Sequence, residues 1–444
     1  MREVKIDGLN YRLDNENLTA EVIEQWKGLS NDYKGDIIIP DAVASNEVSY
    51  LVTSIGEEAF RNCKSLKSII IPSSVTRVGE KSFNNCPSLT TIEVAKGNTV
   101  YDSRENCNAL IHTATNTLIR GCQNTTILDS VTSIGKEAFD RCTSLKSIII
   151  PDSVTSIGEQ AFCCCDSLKS IIISDSVMSI GDRAFYGCKS LKSIIIPDSV
   201  TSIGAEAFYC CDSLKYISIS SSVTSIGDKA FDRCFSLTDI EVAKGNTVYD
   251  SRENCNALIH TATNTIIRGC QNTTIPNSIT SIGDSAFNEC FSLTSIVIPN
   301  TVTSIGEDAF RWCDSLKSIN IPDSVTSIGE QAFSCCILLK YIAIPDSVTT
   351  IPQGTFEGCR SLKAIVIPDG VRSIEYQAFK DCESLKYIVI PVSVISIEFA
   401  FSGCQSLYTI YYDGTKEQWR KITLDKVGDY LLTAVECSDG YVKI

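Results

Sequence analysis

Histidine is almost missing from this chain: two residues in 444, His112 and His260, and both fall in copies of one segment. That leaves little for metal ligation or for acid–base chemistry near neutral pH. No run of about 18 uncharged apolar residues occurs, so no membrane-spanning helix is expected. Met1-Arg2-Glu3-Val4-Lys5 leads into polar residues, without the basic start, apolar run and small-residue cleavage site of an export signal. Positive charge is in deficit: 39 Lys and Arg stand against 53 Asp and Glu, a net −14. This balance argues against a nucleic-acid partner, which needs a basic face to displace counterions from phosphate, and against docking to an anionic membrane. Phosphate-binding and dinucleotide glycine loops, zinc-protease helices and nucleophile elbows are all missing. No catalytic residue, cofactor or metal is therefore expected. An apolar content of 43% is enough for a core and too high for a disordered chain.

What the chain has is repetition. The phrase V-T-S-I-G-x-x-A-F-x-x-C-x-S-L-K-x-I-x-I-P-D-S recurs every 23 residues. Its phenylalanine stands at 60 and 83, at each step from Phe139 to Phe231, at each step from Phe287 to Phe379, and at Phe401, so 13 of the 16 phenylalanines share one slot. A fixed slot for a large ring predicts that like stacks on like, one coil above the next. Two steps are longer, through the segments 95–130 and 243–278, which differ at three positions only. They lie 148 residues apart, one long and four short steps, so a block of the array is duplicated.

Each unit reads as a short coil. In Leu145-Lys146-Ser147-Ile148-Ile149-Ile150-Pro151, Leu145, Ile148 and Ile150 face inward and Pro151 ends the strand, having no ladder donor. Val154 and Ile157 start a second extended side, Gly158 is expected to let the backbone bend, and Ala161-Phe162-x-x-Cys165 to form one helical turn. Stacking then buries what one unit cannot. Three divisions follow. Residues 1–51 form an N-terminal cap of a hairpin and entry strand, 52–410 the repeats, and 411–444 a C-terminal cap around Tyr411, Tyr412, Trp419 and Leu431-Leu432-Thr433-Ala434-Val435. Caps cover the open edges of the array.

The match L-x-x-I-x-I-P-x-x-V-x-x-I-G-x-x-A-F-x-x-C over about 52–410 resembles the BspA-like leucine-rich repeats, the 23-residue class. The entry segment Gly35–Gly56, the closing Tyr411-Tyr412-Asp413-Gly414-Thr415 through Trp419, and the G-N-x-x-Y-D-S-R start of the inserts resemble the same family. The resemblance implies a leucine-rich repeat solenoid, curved and elongated, with a parallel β-sheet on one face and short extended or helical turns on the other. It also implies a role in adhesion or protein–protein binding and favours a cell-surface or secreted location; the expected partner is a protein or other macromolecule, such as a host or neighbouring-cell surface protein. Surface members carry an export signal, and none is visible here, so location stays open.

Thirteen of the 22 cysteines follow the slot phenylalanine by three residues. Side chains of one slot point the same way, which favours a ladder of buried free thiols over a disulfide staircase, whose neighbours would have to turn toward each other. Cys163-Cys164-Cys165, Cys210-Cys211 and Cys335-Cys336 add outward thiols but lack the spacing of a zinc site. His112 and His260 read as hairpin residues, turning at Asn116 and Asn264. Asp102–Asn106 and its copy gather oxygens, read as a turn network since the mid-loop Gly and closing Glu of a calcium loop are missing.

The remaining signal is surface. Lys146, Lys169, Lys192 and Lys215 form an outward column, resumed at Lys317, Lys340, Lys363 and Lys386. A second column carries Ile149, Ile172 and Ile195, and later Val297, Ala343, Val366 and Val389, interrupted by Ser218, Glu241 and Asn320. A three-coil apolar patch beside lysines is where a macromolecular partner is expected to dock. An acidic row, Asp152, Asp175, Asp198, Asp323, Asp346 and Asp369, is expected to cap turns. The chain thus reads as a monomeric, non-enzymatic module with a long binding surface; the alternative is a structural spacer or surface-layer component without a specific ligand.

Overall fold

Strand segments in most coils are only two to four residues long, because Pro or Gly interrupts them, and their ladders therefore run across coils. In a computed structural model that describes residues 1–24, 33–425 and 434–443, the chain forms a leucine-rich repeat parallel β-solenoid with little helix. It divides into two compact units, Met1–Lys215 with Ser222–Ser236, and Tyr216–Ser221 with Leu237–Ile444.

In the first unit, Ser147–Ile149 pairs in parallel with Ser170–Ile172, placing Ile149 opposite Ile172. The longer ladder lies on the other side of the coil. There the two-residue strands Ser133–Ile134, Ser156–Ile157, Ser179–Ile180, Ser202–Ile203 and Ser225–Ile226 continue an eight-stranded sheet that begins in the insert at Tyr101–Asp102. The expected single-face sheet is thus divided, and its more continuous part follows the T-S-I-G phrase. Thr155 N–H donates to Thr132 O at 2.9 Å and Gly158 N–H to Ile134 O at 2.9 Å. The glycine of this phrase answers a demand for space. A Cβ on Gly204 would stand 2.4 Å from Asp182 N, so close stacking, and not a left-handed bend, requires it.

The helical turn expected at Ala161–Cys165 does not form. Gln160 (φ 54°) and Cys164 (φ 55°) are left-handed, and the amides alternate in direction. Ala161, Cys163 and Cys165 donate within their own coil, to Gly158 O, Gln160 O and Phe162 O. Gln160, Phe162 and Cys164 donate to Asp182 O, Ala184 O and Tyr186 O of the next coil, at 2.7–2.8 Å. A helix would turn every amide along its own axis and leave the neighbouring coil without donors. Stacking wins, although a non-glycine residue in the left-handed region costs roughly 1–2 kcal/mol.

The core follows from the two slots. Phe139, Phe162, Phe185, Phe208 and Phe231 stack at centroid separations of 4.9–5.4 Å with planes within 8°. In the second unit, Phe287 through Phe401 stack at 5.0–5.8 Å. All 22 cysteines are free thiols, and the thirteen of the repeat slot are buried. Their sulfurs have a directional role. Cys165 Sγ–H donates to Phe139 O at 3.2 Å, Cys188 to Phe162 O at 3.2 Å and Cys211 to Phe185 O at 3.3 Å. A small apolar donor suits a slot that faces both packed rings and a backbone carbonyl.

At the N-terminus, Arg2–Ile6, Leu9–Asp14 and Thr19–Ile23 form an antiparallel meander whose last strand lies parallel to Val48–Ile55. Gly35–Ile38 pairs in parallel with Leu66–Ile71. At the C-terminus, Thr409–Tyr412 pairs with Ala434–Cys437, which hairpins onto Gly440–Lys443. A single helical turn, Lys416–Trp419, is capped reciprocally by Thr415 and Gln418, and Trp419 packs edge-on to Tyr412 at 5.3 Å. Leu431–Thr433 lie outside the described residues. The insert forms the hairpin Ala109–His112 with Thr117–Gly121, and Leu118 then pairs in parallel with Ile134.

Candidate functional site

The two outward columns are built by alternation. Leu145, Ile148 and Ile150 point into the core, so Ser147 and Ile149 point out. Ile149, Ile172 and Ile195 are 64%, 61% and 68% exposed. Lys146, Lys169, Lys192 and Lys215 are exposed too, but each stands one residue or less before its strand. Their backbones continue the ladder, Lys169 N–H to Lys146 O and Lys215 N–H to Lys192 O at 2.9 Å. The lysines therefore flank the isoleucines along the strand margin, and serines fill the strand face between them. The parallel ladder links Ile149 to Ile172, while Ser193–Ile195 belongs to another short sheet.

The second unit carries a surface that the Ile and Val column does not reveal. Where Ser147 stands in its coil, the later coils place Tyr341 and Tyr387, both exposed. Lys363 Nζ lies 5.9 Å over the Tyr341 ring. Tyr387 meets Tyr411 edge-on at 6.0 Å, and Val389 is the strand partner of Tyr411. Val366 is also exposed. The signal is in the phrase L-K-Y-I, where tyrosine replaces the usual serine after lysine. A search confined to the Ile and Val positions passes over it.

The acidic row does not cap. Asp152, Asp175 and Asp198 are exposed and make no side-chain hydrogen bonds among the described residues. The backbone closes these turns instead, Val154 N–H to Pro151 O and Val200 N–H to Pro197 O at 3.1 Å. In the insert, the Asp102 carboxylate is engaged by Arg104, Nη2 to Oδ2 at 2.6 Å and Nε to Oδ1 at 2.9 Å. His112 Nδ1 pairs with Thr115 Oγ1 at 3.0 Å, and its ring lies edge-on to Tyr101 at 5.9 Å.

One polar cluster escaped the sequence reading. Arg120 is buried in the insert and donates through Nη1 to Asn84 Oδ1 and Glu137 O, and through Nη2 to Asp140 O, all at 3.0–3.1 Å. Asn84 Nδ2 in turn donates to Glu137 and Asp140. Burial pushes the Asp140 carboxyl up, with Arg120 opposing. An arginine at an inward hairpin position, in Leu118-Ile119-Arg120, is the sequence signal for it. These groups bind one another across the junction of insert and coil.

The geometry defines a repeat scaffold with solvated apolar, aromatic and lysine columns. A family model described as the BspA type leucine-rich repeat region matches residues 42–118, 115–238, 155–279 and 260–383, and the chain belongs to that family. It is similar to a leucine-rich cell surface protein from Faecalibacterium prausnitzii, at 31% identity and a TM-score of 0.56, over 96% of this chain and 98% of that one. It is also similar to a leucine-rich repeat protein from Bacteroides ovatus, at 28% identity and a TM-score of 0.50, over 98% and 99%. A leucine-rich repeat protein from Eubacterium ventriosum shares the fold at 22% identity and a TM-score of 0.55, over 98% and 97%. No curated protein matches the chain by sequence. No described helix is long and apolar enough to cross a membrane.

Proposed function

We propose that this chain is a non-enzymatic adhesion or interaction module that binds a partner protein at a cell surface. Lys146, Ile149, Lys169, Ile172, Lys192, Ile195 and Lys215 make the contacts, and residues 1–51 and 411–444 serve as end caps. The observation that carries the reading is the exposure of Ile149, Ile172 and Ile195 beside a lysine margin. Apolar side chains held out in register offer area to bury, and the cations select an acidic rim and steer its approach. The cell-surface designation of the F. prausnitzii relative supports the location.

The double variant Lys169→Glu/Ile172→Glu tests it. Complete burial of an isoleucine is worth about 1.5–3 kcal/mol, so its loss alone weakens binding roughly 10- to 100-fold. Immobilised chain is exposed to neighbouring-cell extract, and captured proteins are quantified against the double variant and an Asp175→Lys control. A docking face loses its partner in the double variant only, with a salt-dependent part. Equal capture by all three, with unchanged melting, makes the chain a spacer.

A further inference from the structure

Cys163 and Cys164 take the two turn positions after Phe162, and of the two thiols expected to face outward Cys163 is buried. Their sulfurs stand 3.6 Å apart, with Cys163 Sγ–H donating to Cys164 Sγ. The equivalent positions hold Asp140 and Arg141 in the coil before, and Tyr186 and Gly187 in the coil after. Gly187 leaves the space over Cys164 open: a Cβ there would come within 3.3 Å of Cys164 Sγ. Cys163 is buried and Cys164 half-buried, so the pair is reached from one side.

The peptide between them is held from both directions. Arg141 N–H donates to Cys163 O and Cys164 N–H donates to Tyr186 O, each at 2.7 Å. A disulfide would need the sulfurs to close to about 2.05 Å across Cα atoms about 3.8 Å apart, below the usual range for such bonds. The two inter-coil hydrogen bonds resist that distortion. A bridging atom needs no such closure. Two sulfurs bound at about 2.3 Å to one soft atom, at an angle near 100–110°, lie about 3.5–3.8 Å apart. Among the described residues, no group of three or more His, Cys, Asp or Glu is arranged to hold a metal ion. The acceptor must therefore be satisfied by two protein sulfurs.

We propose that Cys163 and Cys164 form a two-thiol chelating site for soft acceptors of the monosubstituted trivalent arsenical class. Thiolate ligands select soft partners, and the third position on arsenic is filled by its own substituent. With an arsine oxide, both arsenic bonds to oxygen break and two As–S bonds form. The two thiol protons leave with that oxygen as water, and arsenic stays trivalent. Cys164 is the leading nucleophile: the hydrogen bond from Cys163 lowers its pKa, Arg141 adds to this, and burial opposes both. Burial holds thiols such as Cys165 and Cys211 protonated, well above their ordinary range.

Phenylarsine oxide added to the native full chain tests this by intact mass and peptide mapping. The expected result is one adduct per chain, located on the Cys163–Cys164 peptide. It is reversed by 2,3-dimercaptopropanol and resists excess 2-mercaptoethanol. It is lost in Cys163→Ser and in Cys164→Ser, and kept in Cys210→Ser and Cys335→Ser. Mapping of the wild-type adduct gives the answer even if a serine variant folds poorly. An adduct elsewhere in the chain, or reversal by the monothiol, overturns the assignment. So does ready conversion of the pair to an internal disulfide by oxidised glutathione.

Discussion

Replacing Phe185 by alanine removes a ring that is fully buried and stacked on both sides, 5.3 Å from Phe162 and 5.2 Å from Phe208. Phe→Ala in a packed core costs about 3–5 kcal/mol. Phe83 is nearly as buried but, among the described residues, stacks on Phe60 only, at 5.4 Å, because the insert follows it. An aromatic pair contributes about 0.5–1.5 kcal/mol beyond its buried area. Phe185→Ala is therefore expected to cost more than Phe83→Ala by about that amount. Because a coil touches only its neighbours, the damage stays local. Urea unfolding gives the two free energies. Hydrogen exchange read by peptide mass gives their extent, with protection falling in the coils around Phe162 and Phe208 and not at Phe333. Equal costs, or a larger cost at Phe83, would refute the ring column as the source of coil-to-coil cohesion. Uniform loss of protection across the chain would refute its locality.

Two further outcomes follow from the same packing. A Cβ on Gly121 would lie 2.1 Å from Phe139 Cε1, so Gly121→Ala must displace the first ring of the stack and costs about 1–3 kcal/mol; unchanged melting would mean that the ring is not seated there. Burial raises the Cys142 thiol from its ordinary 9.0 to about 11. The unfolded chain then loses this proton near pH 9 while the folded chain keeps it. Stability is fully present below pH 9 and falls between pH 9 and 11, with a slope near 1.4 kcal/mol per pH unit for each such thiol. Denaturant melts across that range check the sign, and a rise in stability would contradict it.

The ring and thiol slots are legible in the sequence because a repeat stacks identical chemistry, and Phe162 or Cys165 can face only one way if every copy is to be buried. The conformation of Ala161–Cys165 is not legible. Local spacing of Ala, Phe and Cys fits a helical turn, and only the demand of the next coil for Gln160, Phe162 and Cys164 amides decides against it. Gly158 is read correctly as required, but for the wrong cause: a Cβ there would lie 2.9 Å from Gly135 C, and crowding by a neighbouring backbone leaves no trace in a single repeat. The exposure of Ile149, Ile172 and Ile195 follows from alternation, whereas Tyr341 and Tyr387 hide in a position that serine normally holds. Arg120 shows in the sequence as a charge at an inward hairpin position, but its partners Asn84 and Asp140 lie on either side of the insert, and the fold alone brings them together.

Within the uninterrupted runs from Phe139 to Phe231 and from Phe287 to Phe379, the alternation of amides between own coil and next coil, with slot thiols such as Cys188 reaching back one coil, makes a 23-residue unit an interchangeable part. Excise one whole period and the flanking layers meet with the same donors, acceptors and rings still matched. Length is then a heritable variable that unequal recombination can tune without an intermediate that fails to fold, whereas a deletion of any other size leaves a seam of mismatched groups.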